Sequence, residues 1–477
     1  MLLAAAGVPS FAAKPNVVLF LADDLGYGDV GSYGATKVKT PNIDSLAREG
    51  MKFTDAHSAA GLCCPSRFAL MTGTLPWRPG RNIWATASSG LLFDVQQPTL
   101  GTVMKAAGYT TAAIGKWHLG LGKTKTDYTA KIAPGPLEVG FDTCLIDPSN
   151  HHGFYVKDHS VLGARADDPL VLDGRMKATG GAFTKMDSET NGKIFADEAA
   201  TFIAAAQKPF FLYFAPNEIH KPYKPTKTVK GTSPAGDYGE TIHDLDRLVG
   251  RVIDAVKAKG AWENTIFVFS SDNGGVLDPR AFKAGHRANG PLQGMKSDIW
   301  EGGHRVPLIV RWPGRVAAGS QCAHFVCLSD MIATFGDITG QTIDATKSPD
   351  SLSLLPLLAG KAPDTARHDR AIILVSGGNY DGVGVRQGNW IFIPGLGARG
   401  VTSSPENPYA SYAEAGFTND SLDPSGMALP NAPTDQLYDL SSDLSQTRNI
   451  IREHPEVAQR LAARLAEIPQ RAAKKKR

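Results

Sequence analysis

At 477 residues the chain is long enough for one large and one small folding unit. Its 42% hydrophobic and 20% charged content, with 50 glycines, is that of a loop-rich α/β protein and excludes a disordered or fibrous one. The net charge of +3 rests on the terminal run Lys474-Lys475-Lys476-Arg477, without which the balance is −1, so no global basic field marks a nucleic-acid binder.

The first thirteen residues, apolar from Leu2 to Val8 and then Ser10-Phe11-Ala12, read as the remnant of a secretory signal without a basic start. They predict an exported protein, periplasmic or secreted. Asn16 to Ala22 is a continuous apolar run, the pattern of a strand buried on both faces. It ends in Asp23-Asp24. Adjacent carboxylates at a buried strand end are costly unless a cation neutralises them, and hard oxygens suit Ca²⁺ or Mg²⁺ better than zinc. A helix cap plus a surface acid is the plainer alternative. A helix is predicted from about Ile43 to Gly50.

Cys63-Cys64-Pro65-Ser66-Arg67-Phe68-Ala69-Leu70-Met71-Thr72-Gly73 reads as a loop turning into a helix, with Pro65 in the first turn and Gly73 as the stop. Cys63 is then expected just ahead of a helix N-terminus, where N–H groups favour an anion, with the Arg67 cation directed at the same place. Two buried thiols packed as small hydrophobes are the competing reading. Trp77, Arg78, Arg81 and Trp84 crowd the following loop, either flooring a substrate site or serving as core and rim. Leu100 to Ala107 reads as a helix and Thr110 to Gly115 as a strand. Lys116 and His118 stand at its end, and on an extended segment both would face one side.

From Gly140 the pattern is too irregular for strand assignment; this insertion carries Ser149, Asn150, His151 and His152. Asn191 to Ala206 is amphipathic, and Pro209 to Ala215 is another buried strand, leading to His220. The spacing from Tyr238 to Gly260 is that of a core-facing helix. Thr265 to Ser271 then delivers Asp272 and Asn273, a carboxylate and a neutral carbonyl that both suit Ca²⁺. Four buried runs with polar chemistry at their carboxyl ends describe one crevice. The alternation of strand and helix predicts a mostly parallel sheet sandwiched by helices.

Asn289 to Lys296 and Trp300 to Pro307 are followed by a strand from Leu308 to Arg311. Asp350 to Ala359 reads as a leucine-rich loop and helix. The composition turns polar from Pro363 to Arg370, placing a boundary between a large domain at 14–366 and a C-terminal subdomain at 367–477. Ala371 to Ser376, Gly382 to Arg386 and Asn389 to Ile393 predict a small antiparallel sheet, and a last helix runs from about Pro455 to Ile468. No apolar run reaches the length of a membrane span. The five cysteines (Cys63, Cys64, Cys144, Cys322, Cys327) are too few for a disulfide framework, with Cys322 and Cys327 either bridged or reduced. No pattern specifies an oligomeric state.

The Cys63–Gly73 stretch matches C-x-P-S-R-x-x-x-[LM]-T-G and resembles the type I, formylglycine-dependent sulfatases, bacterial arylsulfatases and N-acetylhexosamine-6-sulfatases among them. Asn289–Lys296 with Trp300–Pro307 is similar to a second stretch of that family, with Gln293 in place of the commoner Arg. Leu437-Tyr438-Asp439-Leu440 is similar to its terminal motif. The resemblance implies an alkaline-phosphatase-like α/β fold and hydrolysis of a sulfate ester. It implies that Asp23, Asp24, Asp272, Asn273 and the modified Cys63 hold one Ca²⁺, Mg²⁺ being the lesser candidate. Cys63 would be oxidised to formylglycine by a maturation enzyme, and a hydroxyl of its hydrate would attack sulfur.

Arg67 and Lys116 would hold that hydrate, and His118 would be the base that collapses the sulfated intermediate. Lys296 and His220 would bind the sulfate and protonate the leaving alcohol, and Ser149 would match a family serine near the sulfate. A sulfated carbohydrate is the implied substrate, with His151, His152, His286 and Arg287 as candidate contacts. Two rivals remain at this point: a phosphodiester or phosphonate monoester hydrolase of the same superfamily, and a non-catalytic binder of sulfated glycans.

Overall fold

The strand Asn16–Ala22 lies near the middle of a ten-stranded sheet in the computed structural model. That structure describes residues 14–80, 82–150, 153–187, 189–362, 367, 369–376, 382–396, 416–424 and 427–468. The signal-like segment 1–13, Arg81, His151, His152, the residues before the expected boundary at 366 and the basic tail lie outside the described residues. In space the strands run Ser320–Cys322, Met51–Phe53, Leu308–Arg311, Thr265–Ser271, Asn16–Ala22, Phe210–Ala215, Thr110–Lys116, Thr143–Asp147, Val156–Lys157 and Ser160–Val161. The five from Thr265–Ser271 to Thr143–Asp147 are mutually parallel, and antiparallel pairing enters only towards the edges.

The central strand is apolar throughout because both of its faces are covered. Val18 and Phe20 point into one core with the helices Asn191–Ala205 and Gly236–Ala258. Val17, Leu19 and Leu21 point into the other, with Cys63–Thr72, Leu100–Ala106 and Met331–Thr339. Phe20 lies 5.1 Å from Phe214 and 5.6 Å from Phe269, ring centre to ring centre. Each such fully buried ring contributes roughly 1.5–3 kcal/mol.

Two details differ from the sequence reading, and the cysteine pairing it left open is decided. Thr143–Asp147 is a fifth parallel strand, inside the stretch whose pattern gave no strand assignment. Cys63 is the first residue of its helix, with Leu62 as the cap, and so sits one step further in than expected. All five cysteines are free, Cys322 and Cys327 included. Among the described residues, no helix is long and apolar enough to cross a membrane.

A separate antiparallel sheet is built from Ala371–Val375, Val383–Gln387, Trp390–Ile393 and Gln436–Asp439, the last a strand supplied by the terminal motif. It is not an appendage. The Gly61 N–H donates to the Val375 carbonyl at 2.9 Å and the Ser297 N–H to the Gly61 carbonyl at 2.6 Å. One edge of the small sheet therefore holds the backbone ahead of Cys63 and beside Lys296. Arg386 enters from the same sheet to meet Asp55 at 3.1 Å.

Under this junction His57 Nδ1 and His304 Nδ1 are 3.0 Å apart, and Asp55, Glu301 and Arg305 close the cluster. The His304 Nε2–H donates to the Ile299 carbonyl at 2.9 Å. Burial pulls the His304 ring down to about 4, against the opposing pull of Glu301. Its unfolded form takes up a proton near 6.5, so the native protein loses stability as pH falls from about 6.5 to about 4, by about 3 kcal/mol from this group. Glu218 and Asp246, raised by burial, act in the opposite sense. A His304→Gln variant isolates the effect: its stability deficit relative to the parent narrows as pH falls across that window. Urea unfolding of both proteins at pH 7.5 and pH 5 checks this.

Candidate active site

Strand ends bring the chemistry together. Asp23 and Asp24 follow Asn16–Ala22, and Asp272 and Asn273 follow the adjacent Thr265–Ser271. Lys116 ends a strand two places away, and the Cys63 helix points its first turn at the same spot. Close approach here requires glycine: a Cβ on Gly274 would lie 1.8 Å from the Gly302 carbonyl oxygen. The Asp272-Asn273-Gly274 and Glu301-Gly302-Gly303 segments therefore fit against each other only without a side chain.

Lys116 Nζ donates to both oxygens of Asp23, at 2.9 and 2.7 Å. Arg67 is 1% exposed; its Nε donates to Asp272 Oδ2 at 2.8 Å and its Nη1 to the Lys116 carbonyl at 2.9 Å. Lys296 Nζ donates to Asp24 Oδ2 at 2.6 Å, and Asn273 Nδ2 donates to Asp24 Oδ1 at 2.9 Å. His220 Nε2 is 3.8 Å from Asp24 Oδ2, while its Nδ1–H donates to the Lys221 carbonyl at 2.8 Å. Cys63 Sγ is 3.2 Å from His118 Nδ1. Three carboxylates thus face three side-chain cations in a largely buried site, where charges interact strongly.

The electrostatics follow from burial and neighbours. Burial alone would raise the Asp24 carboxyl, but Lys296, His220 and Lys116 outweigh it and hold it far below the usual range. For Asp272 burial wins over Arg67, and with Asp23 and Asp24 close by the carboxyl is pushed up to about 6. Burial also raises the Cys63 thiol, with Asp272 and Asp23 adding to it and Lys116 and Lys296 opposing. An unmodified thiol here stays protonated at neutral pH despite its helix N-terminus. Burial, then Lys116 and Arg67, hold His118 neutral. Its Nε2 faces the Ala85 carbonyl at 3.1 Å, an acceptor only, so Nε2 carries the hydrogen and the Nδ1 lone pair faces Cys63.

Lys116 and His118 do converge, but not by alternating along an extended chain. His118 has φ 55°, just past the strand end, and this left-handed turn sends its ring to Cys63 while Lys116 goes to Asp23. Ser149 is buried beside the sheet end, its N–H donating to Asp147 Oδ1 at 3.2 Å. Asn217 Nδ2 donates to the other Asp147 oxygen at 2.8 Å.

His286 is buried and turned to another partner, with Nε2 2.6 Å from Asp29 Oδ1, and Tyr238 donates to the same carboxylate. Arg287 is exposed and stacked 3.6 Å from the Phe282 ring centre. Trp77 is core, covered by Arg78, which pairs with Asp350. His151 and His152 lie outside the described residues.

Asp23, Cys63 and Asp272 offer ligand atoms all within 4.8 Å of one another. Asn273 Oδ1 is buried without a hydrogen-bond partner in the protein, the condition of an atom built to meet a cation or water. Apart from the Cys63 sulfur, the donors are hard oxygens, which fits Ca²⁺ or Mg²⁺. Asp24 is turned to Lys296 and to the Asn273 amide, outside that triplet.

The sulfatase family profile matches residues 15–341. An N-acetylgalactosamine-6-O-sulfatase of Bacteroides thetaiotaomicron is 31% identical over 504 aligned positions, spanning 96% of this chain and 94% of the relative. The chain belongs to the sulfatase family.

The human N-acetylgalactosamine-6-sulfatase is 35% identical over 76% of the chain and 68% of its own length. A solved structure described under the metabolism of multiple glycosaminoglycans by Bacteroides thetaiotaomicron superposes with a TM-score of 0.82. It is 30% identical and covers 96% of this chain and 99% of its own. Ps i-CgsB, solved in complex with a neocarrahexaose, is 24% identical with a TM-score of 0.73, over 96% of this chain and 94% of its own, and shares the fold.

In this sulfatase Gln293 is buried and donates to the Gln446 carbonyl at 3.3 Å, so it ties the Lys296 loop to the C-terminal segment. Sequence reasoning did not single out Asp147, Asn217 or Tyr213, whose hydroxyl lies 3.4 Å from Arg67 Nη1. Asp147 ends the unrecognised strand. Asn217 follows a recognised strand and offered the same signal as His220.

Proposed function

We propose that this sulfatase removes sulfate from a sulfated carbohydrate of the N-acetylgalactosamine 6-sulfate kind, the substrate in its relatives' names. In this reading Cys63 is oxidised to formylglycine and one Ca²⁺ is held by Asp23, Asp24, Asp272 and Asn273 with the modified residue. One observation carries it: Cys63 Sγ stands at a helix start, 3.2 Å from a neutral histidine and beside Asp23 and Asp272. Sγ there stands in for an oxygen of the oxidised side chain.

Bound at these oxygens, calcium would neutralise charge and act as a Lewis acid, and formylglycine would supply a hydrated carbon in place of an inert thiol. The chain's own residues do the rest. His118 Nδ1, directed at residue 63 and fixed by its Nε2–H bond to Ala85, accepts a proton from that side chain. Arg67 donates to Asp272 and Lys116 to Asp23, and these bonds hold the two carboxylates in place beside residue 63. Lys296, now on Asp24, is the cation free to meet a sulfate oxygen once a metal takes over that carboxylate.

His220 presents Nε2 towards the same carboxylate and is the proton donor for the leaving alcohol. Burial holds it at about 3 without substrate, so the negative charge of the bound sulfate must raise it into service. Ser149 is assigned to the wall of the sulfate pocket. The positive surplus that calcium adds matches an anionic ester.

Cys63 is 2% exposed, so its maturation enzyme must act before the chain closes. The segment 1–13 supports export. The deciding experiment is co-expression with a formylglycine-generating enzyme, followed by intact-mass analysis of the Cys63 peptide and assay on N-acetylgalactosamine 6-sulfate. A residue 63 that remains a thiol, or an aryl phosphodiester hydrolysed in preference, refutes the reading. Chelation is expected to abolish sulfate release. Added Ca²⁺ at about 100 times its Kd should restore it and raise unfolding stability by about 2.7 kcal/mol, measured by denaturant titration.

A further inference from the structure

Trp84 is 40% exposed and is the only exposed tryptophan, tyrosine or phenylalanine among the described residues. A single exposed apolar side chain is ordinary on a protein surface. This one is set apart by what holds it and what it faces. Its neighbours Ile83 and Ala85 are 0% and 1% exposed. The Ala85 N–H donates to Cys64 Sγ at 3.2 Å, and the Ala85 carbonyl accepts from His118 Nε2 at 3.1 Å. The loop has no regular secondary structure, yet its backbone at Ala85 is tied to the residue beside Cys63 and to the ring proposed as base. From that anchor the indole meets the His118 ring at 5.7 Å between centres and 70° between planes. An edge contact of this kind leaves much of the indole open to solvent at the lip of the crevice.

We propose that Trp84 is the stacking platform for the pyranose ring that carries the sulfate, and so a determinant of selectivity for a sugar sulfate over sulfate itself. The proposal rests on the sulfatase reading above. An indole face is electron-rich and flat, and a pyranose turns a face of C–H bonds that are slightly positive and apolar. Stacking buries apolar area on both partners without asking either for a hydrogen bond. The platform is rigid because its backbone is anchored, so little ordering entropy is lost on binding. Its position against His118 registers the ring relative to the group that works on residue 63.

The test compares the parent, Trp84→Ala and Trp84→Phe, each matured and calcium-loaded. It measures kcat and KM on N-acetylgalactosamine 6-sulfate and the inhibition constant of inorganic sulfate, which has no ring to stack. Trp84→Ala is expected to raise KM about tenfold with kcat within about threefold, and Trp84→Phe to recover most of the loss. The sulfate inhibition constant should stay at the parent value. An unchanged KM, or a sulfate constant and kcat that worsen together, would show that the indole only packs against His118 and would overturn the proposal alone. A parent protein that hydrolyses no sulfated sugar would overturn the functional reading and this one with it.

Discussion

Replacing Cys63 by alanine is expected to lower sulfate release by about a millionfold while leaving the fold in place. The loss is large because no neighbouring group can substitute as nucleophile. His118 is aimed at residue 63 from 3.2 Å, and Cys64 faces away, accepting from the Ala85 N–H, with burial pushing its thiol up strongly. The structural cost is small. Only one sulfur atom is removed, and a cavity of that size costs about 1 kcal/mol. Ion chromatography of released sulfate and a thermal melt of the variant measure the two halves separately. A variant that retains turnover would sink the assignment of residue 63, and one that fails to fold would make Cys63 a packing residue.

Arg67→Met should have the largest effect on stability, a loss of about 3–5 kcal/mol in the calcium-free protein. Arg67 is fully enclosed, bonds Asp272 through Nε, holds the Lys116 carbonyl, and stands 3.6 Å from Asp23. Without it Asp272, already pushed up to about 6 by burial, faces Asp23 and Asp24 with no cation of its own. Calcium would then repair part of the damage, because a divalent ion supplies the missing charge to the same oxygens. Denaturant unfolding of parent and variant at pH 7.5, with and without millimolar Ca²⁺, reads both effects. If calcium stabilises the variant no more than the parent, Asp272 is not part of a cation site. Arg67→Lys is expected to fall between the two, since it keeps the charge and loses the fork.

Much of the crevice was legible along the chain, and for a physical reason. A strand buried on both faces must be apolar throughout, so Asn16–Ala22, Phe210–Ala215 and Thr265–Ser271 stand out, and the polar residues after them are conspicuous. Thr143–Asp147 did not stand out. Thr143 and Asp147 flank an apolar run of only three residues, Cys144 to Ile146, and the short strands after it sit in an irregular insertion. With that strand went Asp147, whose bond from Asn217 spans 70 positions. His286 shows the opposite case. A histidine next to an arginine in a loop resembles a ligand site, but its ring is buried on Asp29, 257 positions away. No local pattern encodes such a partner.

The amino-acid sequence by itself determined the parallel core, the acids at its strand ends and the Cys63 helix. Each depends on local rules: apolar periodicity, a proline in a first turn, a glycine stop. Only the tertiary structure decided which cation answers which acid, that Lys116 takes Asp23 while Arg67 takes Asp272 and Lys296 takes Asp24. It alone tied Gly61 to Val375 and so made the small sheet a support for the loop before Cys63. It also turned His118 out of the strand by a left-handed residue. Those outcomes depend on distances between segments far apart in the chain, where packing fixes the partners.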